Sequence, residues 1–113
     1  MSKRWMAAAF LGAALRAADH APPPWEKNHL LVGQALYREN CVVCHDIDKP
    51  RSKKFGPSFY QLFKQPKMPL SAMKPNRAYI KVRMQFGGAL MPAFRTKMTP
   101  AEMDTLIDYM ESK

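Results

Sequence analysis

Cys41-Val42-Val43-Cys44-His45 is the stretch whose reading decides the fold. It holds both cysteines of the 113-residue chain, three positions apart, with a histidine directly after the second. Two thiols at this spacing can each add across one vinyl group of a single haem. The adjacent histidine then falls beneath the macrocycle, where an imidazole nitrogen can ligate the iron. C-x-x-C-H is the pattern of c-type haem attachment. A bare C-x-x-C also serves redox dithiols and half-sites for zinc. Zinc would need two further soft ligands, and the chain offers no third cysteine, only His20 and His29 upstream. A thioredoxin-like dithiol expects a βαβ setting, which the pattern does not supply. One covalently bound haem c, with its iron, is the reading carried forward.

Upstream, Leu30, Gly33, Leu36, Tyr37 and Asn40 recur at spacings of three and four, one face of a helix. Asn28 is a suitable cap, so the helix is expected from His29, after an extended Pro-rich linker over residues 22–28. Downstream, Asp46 to Phe55 is an aperiodic polar loop closed by Gly56-Pro57, a common turn pair. Ser58 to Lys64 reads as a short helix. Pro66, Pro69 and Pro75 exclude a regular element from Gln65 to Asn76, leaving an irregular wrap with Met68, Leu70 and Met73 for packing.

Arg77 to Phe86 alternates apolar and polar residues like a strand, yet Asn76 is a good N-cap, Gly87-Gly88 a good stop, and no second strand exists to pair with it. A helix is expected. Thr99-Pro100-Ala101-Glu102 opens a last helix with a capping box and a proline at its first position. Its apolar face is Met103, Leu106, Ile107 and Met110. Among nine methionines, Met91 stands in a loop after a glycine pair and before a proline, which forces an extended backbone on it. It lies 46 residues beyond His45, enough chain to reach the opposite face of a haem. Met68, followed by Pro69, is its competitor.

C-V-V-C-H, Gly56-Pro57 a dozen residues later, Met91-Pro92 and the closing amphipathic helix occur in an order and spacing that resemble the class I c-type cytochromes, from His29 to Lys113. The resemblance implies an all-α fold of about four short helices and loops around one haem. It implies that the Pro57 carbonyl accepts the N–H of His45, that Met91 is the sixth ligand opposite His45, and that Gly33 and Tyr37 meet the last helix, with Tyr109 as an aromatic partner. A neutral thioether opposite an imidazole favours ferrous iron and raises the potential.

The ends and the charge set the context. Lys3 and Arg4 precede an apolar run from Trp5 to Leu15, with small residues at Ala17, Ala18 and Ala21. Eleven residues fall short of the roughly 20 a bilayer span needs. Residues 1–21 therefore read as a cleaved export signal or a short retained anchor, and the mature domain as periplasmic. The formal charge is +9, and from Lys49 to Lys97 there are twelve Lys and Arg residues without one Asp or Glu. Nothing resembling a nucleic-acid-binding signature accompanies it. The run is either a solvated face or a docking face for an acidic redox partner or an anionic membrane surface.

Two protein ligands on the iron leave no open position, and no other residue set looks catalytic. The expected function is one-electron transfer as a monomeric periplasmic carrier, not an enzyme. The alternative is a tightly bound electron-transfer subunit of an oxidoreductase complex. A peroxidase-like or gas-sensing haem protein would require Met91 to leave the iron.

Overall fold

The computed structural model describes residues 24–113. Three α-helices form: α1 (Pro24–Asn40), α2 (Arg77–Phe86) and α3 (Pro100–Glu111), with a single 3-10 turn at Leu62–Lys64. The described chain is all-helical, as its patterning indicates. The leader and the first residues of the linker lie outside the described residues.

Two boundaries differ from expectation. First, α1 begins at Pro24 rather than His29, so most of the expected linker is helix. A proline is tolerated in the first helical turn, where its missing N–H has no intrahelical partner to lose, and Glu26 suits the positive end of the helix. Second, Ser58 to Lys64 contracts to the 3-10 turn. The Ser58 hydroxyl donates to the Lys49 carbonyl, and Phe59 N–H donates to the Asp46 carbonyl at 2.7 Å. Gln61 then adopts a left-handed backbone with φ 46°. The groups a helix would need are spent on holding the preceding loop.

The remaining elements follow local rules. In α2 the Asn76 side chain accepts from Tyr79 N–H, and Gly87 at φ 70° ends the helix. Only Ile80 and Met84 of the alternating apolar set are buried, while Val82 and Phe86 are exposed, which is the helical period and not the strand's. In α3 the capping box closes from both sides: Thr99 Oγ1 accepts from Glu102 N–H at 3.1 Å, and Glu102 Oε1 accepts from Thr99 N–H at 3.0 Å.

The centre of the core is α3. Met103, Leu106 and Ile107 are fully enclosed. Against α3 pack α1, α2 and the 3-10 turn, whereas α1 and α2 do not pack on each other. Ion pairs follow the same plan. Asp108 receives His29 of α1 at 2.7 Å and Arg77 of α2 at 2.7 Å, and Lys81 of α2 reaches Asp104 at 2.8 Å.

The α1–α3 crossing is made at Gly33. A Cβ built there would lie 2.6 Å from the Thr105 carbonyl oxygen and 2.6 Å from Tyr109 Cβ. The Tyr37 and Tyr109 rings meet beside it, with centroids 6.0 Å apart. Backbone cannot yield as a side-chain tip can, so Gly33→Val should cost at least the 1–3 kcal/mol, roughly, that overpacking costs. The measurement is the melting temperature of the haem-loaded protein. An unchanged value would place Gly33 away from the crossing.

Candidate haem site

The cysteine motif sits where α1 unwinds. Cys41 and Val42 N–H groups both donate to the Tyr37 carbonyl, and Cys44 and His45 N–H groups both donate to the Cys41 carbonyl. This tight turn buries Cys41 and His45 and leaves Cys44 and Val43 toward the outside. Burial, with the neighbouring Cys44 adding to it, pushes the Cys41 thiol up to about 12. Disulfide chemistry runs on thiolate, so a thiol held this high makes a poor redox dithiol. His29, the one upstream histidine among the described residues, is engaged with Asp108 rather than with the thiols.

His45 is fixed by its surroundings. Its Nδ1–H donates to the Pro57 carbonyl at 2.7 Å, which leaves the Nε2 lone pair free. Burial holds the imidazole below its usual value; the Pro57 carbonyl opposes that effect and the charge of Lys54 reinforces it. The ring is therefore neutral and able to ligate. Phe59 stacks on it, centroids 4.2 Å apart with planes 20° from parallel.

Gly56 provides the approach that puts Pro57 in place. Its N–H donates to the Cys44 carbonyl at 2.6 Å, and a Cβ there would stand 2.6 Å from His45 Nδ1. The Gly-Pro pair thus grips both the thiol-bearing turn and the imidazole.

Two further anchors escaped the sequence reading. The buried Tyr37 hydroxyl donates to the His45 carbonyl at 2.7 Å. Lys54 Nζ donates to the Val42 carbonyl at 2.6 Å and pairs with Asp46 at 3.1 Å. Tyr37 was legible only as a core aromatic, because a hydroxyl's partner depends on how the turn after the helix is wound. Lys54 carried no signal separating it from its basic neighbours.

These residues form one side of a cleft of about 390 Å³, within the usual range for small-molecule and cofactor sites. Met91 also lines the cleft, on a loop fixed at both ends. Gly88 N–H donates to the Met91 carbonyl at 2.9 Å, and Phe94 N–H donates to the Met84 carbonyl at 2.8 Å. Gly87 is required at the start of this loop: its φ of 70° disfavours side chains, and a Cβ would come within 2.8 Å of the Pro92 carbonyl carbon. Met68, also partly buried, lines the cleft as well. At the lip Phe55, Leu70 and Leu90 are largely exposed, an apolar rim suited to an apolar ligand.

Two thiols on one turn, a neutral imidazole with its outer nitrogen engaged, and an apolar cleft fit a haem. A family model described as cytochrome c oxidase, cbb3-type, subunit III matches residues 28–110. The chain belongs to that family. It is a mono-haem c-type cytochrome whose haem c is covalently bound. Comparisons with curated proteins and with solved structures returned no match.

The cofactor of this cytochrome supplies a one-electron iron couple, and the domain's function is haem-based electron transfer, as a carrier or as a subunit, rather than catalysis of its own. The polypeptide orients the imidazole, keeps water from the buried side and fixes the loops that flank the cleft. No described helix is long and apolar enough to cross a membrane.

Proposed function

We propose that this cytochrome is a periplasmic one-electron carrier, its haem joined to Cys41 and Cys44 and its iron ligated by His45 and Met91. The observation that carries the reading is the Nδ1–H bond from His45 to Pro57, which leaves Nε2 free for the iron and would strengthen it as a ligand. Both methionine loops are tied by backbone hydrogen bonds, and Met91 is favoured over Met68 by its sequence setting, after a glycine pair and before a proline, 46 residues beyond His45. With both axial positions filled by protein, the iron exchanges electrons without binding substrate.

The test is spectroscopic. Met91→Ala should abolish the weak sulfur-to-iron charge-transfer band in the far red and lower the reduction potential, since a neutral soft ligand is lost. Met68→Ala should leave the band in place. The reverse result would assign the sixth position to Met68.

Exported placement is supported by the positively charged, apolar leader and by the thioether chemistry of the motif. The alternative, a subunit held in an oxidoreductase complex, is favoured by the description of the matching family, which is that of an oxidase subunit. Purification from native membranes and periplasm separates the two. A carrier elutes alone as a monomer, and a subunit stays with its complex.

A further inference from the structure

Lys54 is a cation of the basic run that folds back on the turn carrying Cys41, Cys44 and His45. Its Nζ donates to the Val42 carbonyl at 2.6 Å, pairs with Asp46 at 3.1 Å and reaches the His45 carbonyl at 3.4 Å. The ammonium therefore straddles the histidine, since Val42 precedes it in the turn and Asp46 follows it directly. No other donor among the described residues reaches the Val42 carbonyl.

The loop around Lys54 is built to keep the ammonium there. Lys54 N–H donates to Ser52 Oγ at 3.0 Å, and two residues on, Gly56 N–H donates to the Cys44 carbonyl at 2.6 Å. The backbone is thus pinned on both sides of the lysine. A hydrogen bond from Ser52 and another from Lys54 hold the Asp46 carboxyl below its usual value, so the partner is ionised. An ammonium has three N–H donors, and three acceptors stand around this one. Its side chain is 33 % exposed and that of Asp46 15 %, whereas the neighbouring Lys49 and Lys53 are exposed.

A charge held in this way acts on its neighbours partly through protein, where screening by water and salt is weaker. Its field is felt at the imidazole. Burial lowers the His45 value most, the Pro57 carbonyl opposes that, and the Lys54 charge adds to the lowering. A field that disfavours a positive charge on the ring also disfavours ferric iron bound to it. Adding one electron removes one positive charge and relieves that repulsion. We propose that Lys54 is a positioning residue of the haem site, clasping the turn around His45 and, as a fixed positive charge beside the imidazole, raising the reduction potential of the iron. The proposal rests on His45 ligating the iron; it does not depend on which methionine lies opposite.

The experiment is potentiometric titration of the haem-loaded protein at neutral pH, using only preparations whose absorption spectrum matches the parent. Loss of histidine ligation would show in the spectrum, so it is read separately from the effect of Lys54. Lys54→Gln keeps an amide donor for the Val42 carbonyl and removes the charge. Lys54→Arg keeps the charge. Lys53→Gln removes an adjacent cation that is exposed to solvent.

At a fixed ambient potential, the ratio of ferrous to ferric protein should fall roughly tenfold in Lys54→Gln. Lys54→Arg should stay near the parent, and Lys53→Gln should change the ratio far less. Asp46→Asn, which removes the opposing charge, should raise the ratio. A change in Lys54→Gln no larger than in Lys53→Gln would overturn the proposal, as would a Lys54→Arg as low as Lys54→Gln. If Lys54→Gln does not mature, Asp46→Asn decides: a raised ratio supports the assignment, and an unchanged or lowered one overturns it.

Discussion

Replacing Cys41 and Cys44 together by alanine should yield a chain that gives up all its haem to acid–acetone extraction and shows no haem in its mass spectrum. The parent should keep its colour and carry the mass of one haem. The expectation follows from the cysteine count, since no other thiol exists to form a thioether. The effect on the fold should also be large. Three short helices bury a modest core, and small domains are marginal without a covalent or metal staple. Phe55, Leu70 and Leu90 would stand against water, Leu70 at 86 % exposure. Colour that resists extraction in the double variant would overturn thioether attachment, as would bound zinc in the parent.

The second large effect concerns association. Of the twelve cations between Lys49 and Lys97, Lys54, Arg77 and Lys81 meet acids of the described chain, which leaves nine without one. The acids of α3 are largely consumed by α2, and we propose that the unpaired cations dock an acidic redox protein. A single-signed patch of this kind raises encounter rates by roughly 10–1000-fold, and salt removes the gain as the Debye length shrinks from about 10 Å at 0.1 M to about 3 Å at 1 M. The second-order rate of electron transfer with an acidic redox protein, followed by stopped flow, should fall at least tenfold over that range.

Charge reversal at Lys49 and Lys53, both exposed, should slow the reaction at low salt and matter little at high salt. Lys54 is unsuitable for this test because it holds the Val42 carbonyl and Asp46, so its reversal would disturb the cysteine turn itself. A rate indifferent to both salt and reversal would make the basic run a solvated surface only.

What could be read from the chain beforehand was what short-range chemistry decides. The capping box at Thr99 and the stop at Gly87 each follow from one residue type at one position, the close approach at Gly33 was implied by the resemblance to class I c-type cytochromes, and all three are found as expected. The His45–Pro57 bond was legible only through the resemblance to class I c-type cytochromes, since the Gly-Pro pair by itself reads as a turn. The failures share a different cause. Ser58 to Lys64 has a helix's composition, but its donors are claimed by Asp46 and Lys49, which are near it only after the loop has folded back. Ile47, flanked by two aspartates, looked like loop and is almost fully buried for the same reason. Arg83 was one cation among twelve until the cleft showed which cation lines it.

The arrangement of α3 carries a consequence for the order in which the molecule is made. The turn bearing His45 and the loop bearing Met91 are joined to each other chiefly through the helix that follows both of them in the chain. Until residues 100–111 have been synthesised, α1 and α2 have no surface on which to meet. The last helix therefore works as a latch: the two flanks of the cleft stay apart until α3 gives both of them a common surface to close on.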